Sequence, residues 1–170
     1  MSSRGQQGLL DTSAVIDLAD LDPDSLPLEP VMCTITLAEL SVGPLVATAP
    51  EEQAARQLLL QQAEADFEPL PFDAAAARAF GSLAASLRSA GLKPTARAHD
   101  ALIAAVAVSQ GLDLYTANPD DFTGIDGLMV HTVNRAGAPP PHTGDTAGRD
   151  CAGRMADHGR PAVGASPPSD

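Results

Sequence analysis

The sequence predicts an α/β domain built on a parallel sheet with helices on both faces, and three observations carry that expectation. Apolar runs of strand length alternate with helical patterns through the first 134 residues, the order that produces parallel crossovers. Only 3% of the 170 residues are aromatic, and Ala and Leu dominate the apolar set, which disfavours a sandwich or barrel. Acidic residues recur where strands end and helices begin. A chain of this length can bury one real core.

Gly8-Leu9-Leu10 reads as a buried first strand that ends in Asp11, with a helix starting at once through Ala14, Val15, Ile16 and Leu18. A polar, proline-rich connection (DLDPDSLPLEP) leads to a second strand, Val31-Met32-Cys33-Thr34, and then to the helix ITLAEL, interrupted or bent at Gly43-Pro44. Pro50-Glu51-Glu52 opens the next helix, because proline suits a first helical position and acids suit the helix dipole there. It runs to about Asp66. Phe67 to Phe72 has the look of an edge strand, since its prolines cannot donate to a ladder. Asp73 caps a helix with Ala76, Phe80, Leu83, Ala84 and Leu87 on one face, ending at Gly91. From Ala101 to Val108 every residue is apolar, which marks a helix buried on nearly all sides. Leu112 to Thr116 is the fourth strand and Leu128 to Thr132 the last, about five in all. From Arg135 onward Pro, Gly, Ala and small polar residues dominate. The expected organisation is a domain over residues 1–134 and a disordered tail over 135–170.

Charge is unevenly spread. Residues 1–134 hold 6 Lys and Arg against 18 Asp and Glu, which accounts for the whole net charge of −12. Such a domain repels phosphate unless cations or a basic partner change its local field. Cys33 and Cys151 are far apart, which argues against a disulfide framework and fits a reducing cytoplasm. No apolar run reaches membrane-spanning length, and MSSRGQQG lacks the apolar segment of a signal peptide, so no membrane association is expected.

Asp11 ends the first strand, Glu39 follows the second, Asp100 opens the buried helix, and Asn118 to Asp121 follow the fourth strand. Three of these places are strand-to-helix junctions on one edge of a parallel sheet, where the crevice beyond the carboxyl ends lies, and Asp100 starts a helix that could point back at that edge. Each has a local alternative. Asp11, Thr12 or Ser13 could simply cap a helix, and Thr36 with Glu39 has capping-box spacing. Arg97, one turn before Asp100, could pair with it or contact a phosphate. His99 reads as a surface or hydrogen-bonding residue, and Asp120 as a turn residue. Clustered carboxylates repel unless a cation fills the cluster. Oxygen-only donors suit Mg2+ or Mn2+, ions that serve phosphodiester hydrolysis.

LLDTSAVIDL, ITLAEL, RAHDALIAAVA and LYTANPDDF, in that order, resemble the PIN-domain ribonucleases, and most of all the VapC-type toxins of bacterial toxin–antitoxin pairs. The likeness spans roughly residues 7 to 133. It implies a PIN-like three-layer α/β/α fold and a metal-dependent endoribonuclease. It also implies RNA as substrate, a cognate antitoxin as partner and a homodimer. Asp11, Glu39 and Asp100 match the family's acidic metal-binding positions. Where the last motif would carry an acid two residues after Thr116, this chain has Asn118, and Asp121 is the substitute acid. Thr116 and Ser13 would offer hydroxyls near the site.

Two other readings compete. A PIN-fold binding module could hold a partner with little hydrolysis. A haloacid-dehalogenase-like phosphatase would use Asp11 as a nucleophile, yet Ser13 stands where its second acid belongs, and Lys93 is the chain's sole lysine.

Overall fold

The computed structural model describes residues 7–89, 91 and 98–137. Four strands form one sheet: β1 (Gln7–Leu10), β2 (Glu29–Val31), β3 (Asp113–Thr116) and β4 (Val130–Thr132). Their order is β2-β1-β3-β4 and every pairing is parallel. Five helices accompany them: α1 (Thr12–Ile16), α2 (Thr34–Val46), α3 (Pro50–Asp66), α4 (Ala74–Ser89) and α5 (Ala98–Gln110).

The pleat of β1 shows why the sheet must be covered twice. Leu9 and Leu10 point to opposite faces, and both are wholly buried. Leu9 joins Leu114, Ile103, Val106 and Leu83 in a core under α4 and α5. Leu10 joins Ala14, Val15, Met32, Leu40 and Ala63 in a second core under α1, α2 and α3. The result is the three-layer α/β/α arrangement expected from the sequence. Burying each leucine contributes roughly 1.5–3 kcal/mol, so both layers are held strongly to the first strand.

Strand order locates the crevice. The chain leaves β1 for β2 on one side and later returns to β3 on the other. The order therefore reverses between β1 and β3, where an open α/β sheet offers its ligand site at the carboxyl ends. Gly8 sits beside this seam because a Cβ there would collide with the Tyr115 ring.

Several expectations change in detail. The stretch from Phe67 to Phe72 is no strand. Leu70 makes a single parallel bridge to Cys33, with bonds from Thr34 N to Leu70 O and from Leu70 N to Met32 O, each 2.9 Å. Pro69 and Pro71 flank it without N–H groups, so the ladder cannot extend, and among the described residues the sheet has four strands where about five were expected. Helix α2 continues through Gly43-Pro44 to Val46. The Arg56 guanidinium of α3 donates to the Gly43 carbonyl at 3.1 Å, beside the proline that interrupts the ladder. Beyond Asn134 the chain still contacts the domain, as Arg135 pairs with Asp17 and Ala136 N donates to Asp20 O. Residues 138–170, most of the expected tail, lie outside the described residues, as does Arg97. Among the described residues, no helix is long and apolar enough to cross a membrane.

Candidate active site

Asp11 occupies the seam between β1 and β3, and its own backbone N–H donates to the Tyr115 carbonyl at 3.0 Å. The residue is 6% exposed. Extended backbone at Asp11 makes it the N-cap of α1, and its Oδ1 accepts from Ala14 N at 2.8 Å. The local capping role is therefore real, and it aims the carboxylate at the end of β3.

Two hydroxyls complete its surroundings. Ser13 Oγ donates to Asp11 Oδ1 at 2.8 Å, and Thr116 Oγ1 donates to Oδ2 at 2.7 Å. Each hydroxyl accepts in turn from the chain after β3: Ala117 N reaches Ser13 Oγ at 3.1 Å, and Asn118 N reaches Thr116 Oγ1 at 2.9 Å. Two short relays thus run from backbone amide to hydroxyl to carboxylate, each bond polarising the next. Burial still dominates. It pushes the Asp11 carboxyl above its ordinary pKa, the hydrogen bonds from Ala14, Thr116 and Ser13 pull the other way, and the nearby Glu39 charge adds to the rise.

Glu39 lies in the middle of α2, and it is no capping box. Cys33 is the N-cap of α2 without a side-chain bond, and Thr36 is fully buried beside the Cys33 thiol. The Glu39 carboxylate instead leaves its own helix. Oε2 accepts from Thr12 Oγ1, and Oε1 meets His99 Nδ1 at 2.8 Å. Asp100 follows His99 in the first turn of α5, half-buried. Asn118 and Asp121 belong to the next feature along the rim, the 3-10 turn Pro119–Phe122, which buried Phe122 anchors. Asn118 is exposed and Asp121 half-buried, and the Asn118 side chain does not cap that turn.

The structure brings Asp11, Ser13 and Thr116 into direct contact and couples Asp11 electrostatically to Glu39. Among the described residues, no three His, Cys, Asp or Glu side chains group closely enough to hold a metal ion as they stand. A buried carboxylate whose proton affinity a second carboxylate raises nevertheless fits a divalent cation. Mg2+ is commonly held by one or two carboxylates while keeping several waters. Thr12 and His99 are the contacts that sequence reasoning missed as site residues. The available signal was adjacency: one follows Asp11 and the other precedes Asp100.

Apolar surface flanks the rim. Val42, Leu45 and Val46 on α2 are 52%, 82% and 60% exposed, and Ile16 on α1 is 52% exposed. A groove of about 430 Å3, lined by Ile16, Val42, Val46 and Leu59, opens beside Thr12 and Glu39.

A family model described as PIN domain matches residues 8–128. Ribonuclease VapC5 of Mycobacterium tuberculosis is 38% identical over 138 residues, covering 79% of this chain and 99% of that protein. Ribonuclease VapC4 of the same organism is 35% identical over 131 residues, covering 75% and 98%. Among solved structures, VapBC-5 from Mycobacterium tuberculosis, a member of the VapBC family of toxin–antitoxin systems, superposes with a TM-score of 0.65 at 39% identity. That match covers 75% of this chain and 97% of the other.

Proposed function

The chain belongs to the PIN domain family, and from that premise we propose that it is a metal-dependent endoribonuclease, the toxin of a toxin–antitoxin pair. The observation that carries the reading is the Asp11 carboxylate. It is buried at the sheet's reversal point, held by two hydroxyl relays and pressed by the Glu39 charge. Ionising such a group is costly unless a cation compensates, and catalytic acids are found in surroundings of this kind.

Asp11 and Glu39, with Asp100 and Asp121 from the adjoining elements, would hold Mg2+ or Mn2+. When bound, the ion supplies Lewis acidity for phosphodiester hydrolysis. Ser13 and Thr116 keep Asp11 oriented. Asn118, exposed at the rim, offers an amide to the substrate. The net charge of −12 makes RNA approach dependent on that cation, because phosphate meets a negative rim otherwise.

A cognate antitoxin would cover the groove beside Glu39, where Ile16, Val42 and Val46 stand exposed. A basic and partly apolar chain suits both the groove and the surplus of acids. Homodimerisation is part of the same reading. A phosphatase with Asp11 as nucleophile is disfavoured, since Ser13 stands where its second acid belongs and Lys93 is the sole lysine.

Single-turnover cleavage of a structured RNA across a Mn2+ titration tests the proposal. Wild type should cleave only with the ion, and Asp11→Asn should be silent. An Asp11→Asn protein that cleaves like wild type removes the metal-nuclease reading.

A further inference from the structure

Glu39 is gripped from two directions by residues that neighbour other acids of the site. Thr12, directly after Asp11, donates its hydroxyl to Oε2. His99, directly before Asp100, meets Oε1 with Nδ1 at 2.8 Å. The two partners are 27 and 60 residues from Glu39, so neither contact is a by-product of local helix geometry. Together they tie the β1–α1 junction, the middle of α2 and the first turn of α5 to one carboxylate. We propose that Thr12 and His99 are positioning residues that fix the Glu39 carboxylate relative to Asp11 and Asp100. This inference rests on the metal-nuclease reading of the site.

The physical case is one of pre-organisation. A glutamate on a helix face ordinarily samples many rotamers, and binding an ion must freeze them. Here both carboxylate oxygens are already engaged, each with a lone pair left over for an ion or water. Glu39 and His99 themselves line a small pocket of about 210 Å3 between α2 and α5, with Ile35, Ala38, Val42 and Leu102. His99 itself is 65% exposed in its side chain, so its contact with Glu39 is not forced by burial in a core. Donation from Nδ1 needs a proton on that nitrogen, and both the Nδ1–H neutral tautomer and the imidazolium provide it.

Four variants test the clamp: His99→Ala, His99→Asn, Thr12→Val and Thr12→Ser. Asparagine carries its N–H on the atom next to Cγ, as Nδ1 does, and so can restore the bond that alanine removes. Mn2+ affinity measured by calorimetry on the full chain supplies a readout separate from cleavage. Loss of such an outer contact typically weakens metal affinity on the order of tenfold or more, and that is the expected effect of His99→Ala and Thr12→Val. His99→Asn and Thr12→Ser should recover most of it. In cleavage at saturating RNA, kcat should fall in parallel while KM for RNA stays near wild type. Wild-type Mn2+ affinity in His99→Ala, equal damage in the alanine and asparagine variants, or a change confined to KM would each overturn the clamp. If the Mn2+ pattern appears but wild type cuts no RNA, the clamp stands and the nuclease reading falls.

Discussion

Asp11 and Glu39 carry the same functional group and feel each other's charge, yet the fold treats them in opposite ways. Asp11 is sunk at the seam of the sheet, and its bonds to Ser13 and Ala14 lie two and three residues along the chain. Glu39 stands at the rim of a groove, and its partners come from α1 and α5, far away in sequence. One acid is held by its own turn and a neighbouring strand. The other is held by side chains of other helices. The contrast teaches that a site can combine an acid whose place is set with the sheet and one whose place is set only when helices dock.

The largest expected effect breaks the comparison at its buried side. Asp11→Asn should reduce cleavage by at least about 100-fold, beyond the usual range for losing an outer contact of a metal site. The same change should flatten the pH dependence of stability. Burial, the chief cause, gives the folded Asp11 a higher pKa than the unfolded chain has. The folded state therefore binds more protons across that window, and stability falls as pH rises through the folded value. Below the unfolded value the penalty is absent. Asparagine can still accept from Ala14 N with its carbonyl oxygen, and it carries no charge to desolvate. Thermal melts from acid to neutral pH should show a declining wild-type curve and a flatter one for Asp11→Asn. Glu39→Gln, at the more open site, should move the melting temperature little, within roughly 0.5 kcal/mol. A variant order reversed between these two acids would contradict the contrast. Mn2+ should shift the balance back, because an ion bound only to the folded chain stabilises it by mass action. Its stabilisation of wild type should shrink in Asp11→Asn.

Thr116→Val tests the relays at somewhat lower cost. Thr116 is fully buried, and its hydroxyl both donates to Asp11 and accepts from Asn118 N. Valine keeps the shape and orphans both partners, for a loss of about 1–3 kcal/mol. The Asp11 carboxyl also loses a bond that lowers its pKa, so the acidic limb of the cleavage profile should move upward in pH. Thr116→Ser should restore that limb. Denaturant melts together with a pH–rate profile separate the two effects, and an unmoved limb in Thr116→Val would detach Thr116 from Asp11.

How much of this was legible follows the same division. The first strand, its terminal acid and the helix behind it are local features, and Gly8 to Val15 displays them. Helices α3 and α4 were equally plain, because Pro50 and Asp73 mark their starts and Asp73 Oδ1 does accept from Ala75 N and Ala76 N. The stretch from Phe67 to Phe72 misled through a real signal, since one residue pairs and its prolines stop the rest. Glu39 misled most. Its spacing from Thr36 satisfies a local rule, but Thr36 is buried against Cys33, and docking of α1 and α5 claims the carboxylate. Sequence spacing reports helical neighbours, whereas contacts across 27 or 60 residues depend on packing that spacing does not encode.

The smallest expected effect concerns the position where the chain departs from the family pattern. Asn118 follows β3, sits exposed at the rim, and has its backbone N–H committed to Thr116 Oγ1. Asn118→Asp changes an amide for a carboxylate of nearly the same size, so the turn and the relay to Asp11 should persist. A further negative charge at an already acidic rim has two opposed consequences. It raises the attraction for a cation and the repulsion of RNA phosphate together. With Mn2+ saturating, the first should prevail, and cleavage should equal wild type or exceed it by up to about tenfold, the scale of an outer metal contact. With Mn2+ limiting and salt low, the second should show as a higher KM. Asp121→Asn supplies the control. It should lower cleavage if Asp121 is the substitute acid, and Asn118→Asp should then rescue it in the double variant. Single-turnover rates for the three variants decide this. A double variant as slow as Asp121→Asn alone would mean that the two positions do not share one role, and that the charge at residue 121 acts elsewhere on the rim.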